Sequence, residues 1–191
     1  MVATGGTITE CGDCKIHTFT GPGTFTVCSI ASSATNNVVS YMVVAGGGAG
    51  GRGASDSGAG AGGGGAGGFR ETKSPATPYT ASPLDGYPTP GNRITVTATA
   101  FPITVGGGGS AASLNPYNTC TPAESGNGNP STFSTITSTA GGGGANRSVP
   151  TPQNGANGGS GGGGRACYSG GSGNTPPVTP VSYTHLRAHE T

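Results

Sequence analysis

Three times along this chain a run of β-prone residues passes without a break into glycine: SYMVVAGGGAGG from Ser40, FPITVGGGGS from Phe101 and STITSTAGGGG from Ser134. That junction is restrictive. Ordering a glycine costs about 0.5–1 kcal/mol more backbone entropy than ordering an alanine, and this chain has 41 glycines among 191 residues. An ordered state therefore needs a compensation that only glycine permits. Without a Cβ, backbones can approach as closely as they do at the collagen axis. Extended glycine helices with three residues per turn can then lie side by side and hydrogen-bond to their neighbours, each bond contributing about 0.5–1.5 kcal/mol. Glycine-rich sequence is also the composition of flexible linkers, but a linker has no reason to emerge three times from a buried-looking strand.

The glycine-dense blocks span roughly 46–68, 106–109, 141–144 and 158–164, at unequal intervals, so they form a recurrent theme and not a fixed-period solenoid. Leu, Ile, Val and Phe number 3, 6, 11 and 5, or 25 in all, and Trp is absent. That is thin material for an ordinary hydrophobic core. No segment combines a helical apolar period with caps. The expected fold class is mainly β with an irregular, glycine-rich polyglycine II bundle and no substantial helix. Around Gly21-Pro22-Gly23 two β-prone runs within residues 14–29 predict a hairpin in which Phe19 faces Phe25 and His17 faces Val27. VVSYMVV, from Val38 to Val44, is apolar on both faces and predicts one buried strand. Loops rich in Pro, Ser, Thr and Asn occupy 72–93 and 110–132.

Charge excludes several function classes. Lys and Arg total 8 against 7 Asp and Glu, and the basic residues are scattered, which argues against nucleic acid as a partner. The first twelve residues lack a basic and then apolar leader pattern, and Val38–Ala45 is too short to span a bilayer, so neither a secretion signal nor membrane insertion is expected. Five cysteines, Cys11, Cys14, Cys28, Cys120 and Cys167, are an odd number at irregular spacing and do not form a disulfide framework.

Several motifs carry chemistry on paper. Gly46-x-Gly48-x-x-Gly51 follows a strand, as dinucleotide-binding fingerprints do. The residues after it are mostly Gly, Ser and Ala, each glycine disfavouring helix by about 1 kcal/mol, so no helix N-terminus is available to face a pyrophosphate. Cys11-Gly12-Asp13-Cys14 is a CxxC followed by β-prone sequence; a turn with reduced thiols or a local disulfide is expected there, since a thioredoxin-type site needs a helix N-terminus and a zinc site needs two further ligands. His17 reads as a packed strand residue. His185 and His189 would share a helix face but lack the intervening glutamate of a metalloprotease motif. Asn146-Arg147-Ser148 satisfies the glycosylation sequon, to which no weight is given without a leader. No catalytic, cofactor or metal site is expected, and the chain is not expected to be an enzyme. Tyr79, Tyr87 and Tyr117 lie in polar loops between glycine blocks. Aromatic rings on rigid loops give large contact area at low entropic cost, which makes these three the candidate receptor-binding residues, although each could equally pack against its own loop.

TGGTITECGDCKIHTFTGPGTFTV from Thr4, VVSYMVVAGGGAGG from Val38, GGGGAGGFRETK from Gly62, FPITVGGGGS from Phe101, STFSTITSTAGGGG from Ser131 and GGSGGGGRACYSGGSGNTPPVTP from Gly158 occur in that order. Together they resemble the glycine-rich domain of marine and gut bacteriophage tail-fibre proteins. The resemblance runs from Thr4 to Pro180. It implies a β-rich domain with a layered polyglycine II bundle, exposed loops that meet the host surface, and a place at the distal end of a fibre. Cys14 stands where that family has Tyr in a GDYKIHTF-like motif. The implied organisation is a β-hairpin lead-in over 1–37, a glycine-rich domain over 38–180 that continues in its relatives, and a tail over 181–191. The last ten residues, SYTHLRAHET, resemble translated sequencing-adapter read-through. The implied function is a non-enzymatic adhesin module of the virion, made in the host cytoplasm and released on lysis. Its implied partners are a bacterial surface glycan or outer-membrane protein and other tail-fibre subunits. A spacer or assembly module of the fibre, or a glycine-rich bacterial surface protein, are the alternatives.

Overall fold

The computed structural model describes residues 1–53, 60–111, 125–146 and 154–175. Strands alternate with extended glycine runs, and the only helical pieces among the described residues are 3₁₀ turns at Ala34–Asn37 and Pro90–Asn92. The fold is thus mainly β. No helix among the described residues is long and apolar enough to cross a membrane.

A five-stranded antiparallel sheet has the order β1 (Val2–Thr4), β4 (Gly23–Ser29), β9 (Ala100–Thr104), β10 (Ser131–Phe133), β11 (Ile136–Ser138). Its strands turn Phe25, Val27, Phe133 and Ile136 into one small core, to which Val43, Ile94 and Val96 add from other segments. Phe133 is at the centre. Its ring meets those of Phe25, Tyr41 and Phe101 at centroid distances of 6.1, 5.8 and 6.4 Å, mostly edge to face, the arrangement the ring quadrupoles favour. Concentrating aromatic area at one point is how so few large apolar residues fill an interior.

Two sequence expectations change. The hairpin does not centre on Pro22: it is formed by β2 (Thr7–Cys11) and β3 (Cys14–Thr18), and β4 pairs instead with β1 and β9. Gly12 is the reason. It occupies the first central position of a two-residue turn with φ +57°, a conformation that closes a hairpin tightly and that glycine adopts without strain. Phe25 consequently faces Phe101, and His17 faces Ile8. VVSYMVV, in turn, is two strands and not one. β5 (Val38–Val39) pairs with β8 (Ile94–Thr95), and β6 (Tyr41–Val44) pairs with β7 (Phe69–Thr72). Only one face of β6 is covered, leaving Met42 and Val44 exposed.

Beyond each strand junction the chain keeps its register but changes its conformation. Val44 pairs with Phe69 at the end of β6 and β7; then Ala45 donates to Gly68, Gly48 to Gly65 and Gly51 to Gly62, at 3.0, 2.8 and 2.7 Å. One bond every third residue is the repeat of a three-residue helix, where a β-ladder bonds every second. The run 62–68 passes the same rhythm to 139–145, through Gly62 to Ala145, Gly65 to Gly142 and Gly68 to Thr139. The run 139–145 returns to the first, Gly141 donating to Gly46 and Gly144 to Ala49, both at about 3 Å. Three runs thus enclose one another, and residues 106–110, 125–129, 155–163 and 169–175 extend the lattice around them. Gly141, Gly142, Gly143 and Gly144 are all buried at its centre. A Cβ on Gly46, Gly48 or Gly51 would lie 2.0, 2.1 or 1.9 Å from a neighbouring carbonyl oxygen. Among the described residues the positive-φ glycines, Gly5, Gly6 and Gly12, lie outside the lattice. Glycine serves here for the room it leaves and not for unusual backbone angles.

Candidate functional site

The run 62–68 emerges from the lattice into β7, and β7 carries an acidic residue indoors. Glu71 is only 4% exposed. A buried carboxylate must be hydrogen-bonded, and this one recruits the loop above it. Its Oε2 accepts the Ser82 backbone N–H at 3.1 Å and the Ser82 hydroxyl, and the Tyr79 phenol lies within the influence of the carboxylate. The Glu71 carbonyl accepts from Gly86 at 2.9 Å. Asp85 works in the same way from the loop side, its Oδ1 accepting the N–H groups of Lys73 and Tyr87, each at 2.9 Å.

The far end of the loop is held as firmly. Asn92 donates its carboxamide N–H to the Gly86 carbonyl at 3.0 Å, and a Cβ on Gly86 would sit 2.3 Å from that nitrogen. Tyr41 donates its hydroxyl to the Asn92 carbonyl at 2.7 Å while accepting from Thr72. Burial pushes the Tyr41 phenol above its ordinary range, against the opposing influence of Thr72 and Arg70. The segment 72–93, with its five prolines, is therefore fastened to β6 and β7 at both ends and in the middle.

Among the candidate receptor-binding residues, Tyr79 and Tyr87 both lie on this fastened segment. Tyr79 is 40% exposed, and its phenol is under the influence of the Glu71 carboxylate. Partial burial and the Glu71 charge push its pKa up to about 12. Tyr87 is half-buried and receives the Arg93 guanidinium over its ring at 4.4 Å, with Arg93 Nε donating to the Tyr87 carbonyl at 2.8 Å. Each ring is held in part by its own loop and still faces solvent in part. Tyr117 lies outside the described residues. Glu71, Ser82, Asp85 and Arg93 were not singled out from sequence; the one local signal was the Asp85-Gly86 dipeptide, which marks a turn but not a buried anchor.

The other motifs resolve structurally. Gly46, Gly48 and Gly51 spend their N–H groups on Asn129, Gly65 and Gly62, so the fingerprint is lattice and offers no phosphate cradle. Cys11 and Cys14 face each other as the last pair of the β2–β3 hairpin, and both are free thiols. His17 bonds through Nδ1 to the Gly5 carbonyl at 2.8 Å and sets its ring edge-on against Phe25 at 4.9 Å. Among the described residues no three His, Cys, Asp or Glu side chains converge as metal ligands. His185 and His189 lie outside the described residues.

Comparison with known proteins gives one match. A family model described as a glycine-rich domain matches residues 20–184. No curated protein and no solved structure matches the chain.

Proposed function

We propose that this chain, which belongs to the glycine-rich domain family, is a non-enzymatic receptor-binding module at the tip of a bacteriophage tail fibre. The observation that carries this reading is the bracing of 72–93. A segment rich in Pro, Ser, Thr and Tyr is ordinarily mobile, but here Glu71 and Asp85 hold it on a stiff support. Preorganisation is what a weakly charged contact surface needs, because loop ordering is then complete before the partner arrives. Tyr79, Tyr87 and Arg93 are the contacts this surface presents, and a bacterial surface glycan or outer-membrane protein is the partner class. The six segments that, in their order along the chain, resemble tail-fibre domains support the placement on the virion.

The test is binding of the purified chain to a panel of bacterial cells, with Tyr79→Ala, Tyr87→Ala and the double variant alongside. Lost adhesion with an unchanged fold supports the receptor-binding role. Adhesion that survives the double variant would move the contacts off these two rings, and a purified chain that adheres to none of the cells would point to the spacer or assembly role, with the binding tip elsewhere on the fibre.

A further inference from the structure

We infer that the glycine lattice itself carries a second site, a groove that binds a neutral saccharide. The groove has a volume of about 300 Å³ and lies where the runs 125–129, 139–145, 155–163 and 169–175 meet the end of β11. Asn127, Pro130, Thr137, Thr139, Asn157 and Thr175 line it. These residues come from four stretches, 127–130, 137–140, 157–158 and 175, which the β10–β11 hairpin and the lattice bring together.

Two carboxamides decide its chemistry. Asn127 Oδ1 accepts the Gly143 backbone N–H at 2.7 Å, and Asn157 Oδ1 accepts the Ser172 N–H at 2.7 Å. Each oxygen is thereby fixed to a rigid backbone, which fixes the amide plane and aims the NH₂ group. Neither NH₂ donates to an acceptor among the described residues. Two oriented donors, with the Thr137 and Thr139 hydroxyls that can donate or accept, match a ligand bearing many hydroxyl groups. The walls between them are glycine methylenes, the Pro130 ring and threonine methyls, surfaces suited to the C–H face of a sugar ring. No lining residue is charged, so nothing there would offset the desolvation of an anionic ligand. The volume lies at the small end of ligand pockets, about 300–1,000 Å³, which admits a sugar ring and not an extended peptide. The choice of saccharide over other polyols rests on the receptor-binding reading; the groove and its donors do not.

The experiment is a titration of the ¹⁵N-labelled full chain with maltose, lactose, N,N′-diacetylchitobiose and 3′-sialyllactose, followed by amide correlation spectra. At least one neutral disaccharide should shift the backbone signals of 127–128, 137–140 and 157–158 and the side-chain NH₂ signals of Asn127 and Asn157, at millimolar concentration. Thr137→Phe places a ring in the groove from an exposed strand position and should weaken that binding at least tenfold without altering the spectrum elsewhere. Shifts confined to 79–93 would place saccharide recognition on the loop and overturn the groove, leaving the proposed function intact. Silence with every sugar would overturn it, as would sialyllactose binding more tightly than the neutral sugars or Thr137→Phe having no effect. Groove binding by a chain that adheres to no cells would support the groove and count against the receptor-binding function.

Discussion

Ala45 donates its N–H to the Gly68 carbonyl at 3.0 Å, one residue beyond the Val44–Phe69 pair that closes the β6–β7 ladder. The strand pairing and the glycine pairing are therefore one continuous zipper with a single register. The same holds where β9 and β10 end: Thr104 pairs with Thr132, and three residues on Asn129 donates to Gly107 at 2.9 Å. Each strand pair sets the alignment of the glycine pair beyond it, which has no side chains with which to set its own.

Substitution should consequently divide the glycines into two kinds. Gly48→Ala puts a Cβ 2.1 Å from the Gly142 carbonyl oxygen, a clash with backbone that cannot swing away, and is expected to cost about 3 kcal/mol. Gly107→Ala meets no atom within 4 Å and should stabilise by about 0.4–1 kcal/mol through the unfolded state. Urea unfolding of the two variants checks the contrast.

Hydrogen exchange should read the three-residue repeat directly. Gly48, Gly51, Gly62, Gly65 and Gly142 donate within the lattice and are expected to exchange slowly, whereas Gly47, Gly50 and Gly63 should exchange faster. Protection measured by amide exchange that is uniform along 45–51, or absent there, would contradict the lattice.

Alkaline titration, compared between the wild type and Tyr79→Phe, should reveal Tyr79. Its folded pKa is raised from 10.0 to about 12, so the stabilisation it contributes is complete below about pH 10, where the phenol is protonated in both states, and is lost as pH rises toward 12. Absorbance at a phenolate wavelength should show late-ionising tyrosine, to which Tyr41 also contributes, and Tyr79→Phe should remove the part that ionises near pH 12. Because Tyr79 is 40% exposed, the accompanying loss of stability should be small.

Phe133→Ala is expected to be the most damaging single core truncation. The ring touches Phe25, Tyr41 and Phe101, and its removal should cost about 3–5 kcal/mol. Thermal unfolding of this variant beside Ile16→Ala, whose side chain is half exposed, gives the comparison.

The sequence by itself determined the materials and the junctions. β-prone runs followed by glycine marked where strands hand over to the lattice, because only a chain without Cβ atoms can pack backbone against backbone. The CxxC turn and the absence of a helix among the described residues that directly follow Gly46 were legible for the same local reasons. Tertiary structure decided the rest. Which strand pairs with β4 depended on whether Gly12 or Pro22 closed the hairpin, and both read as turns in isolation. The burial of Glu71 depended on a loop that folds back from Ser82, eleven residues on, and nothing near Glu71 announces it. The groove beside Asn127 and Asn157 depended on runs that meet only after the registers of β6–β7, β9–β10 and β10–β11 have been fixed. Glycine carries no side-chain information about its neighbours, so their identity had to come from the strands at their ends.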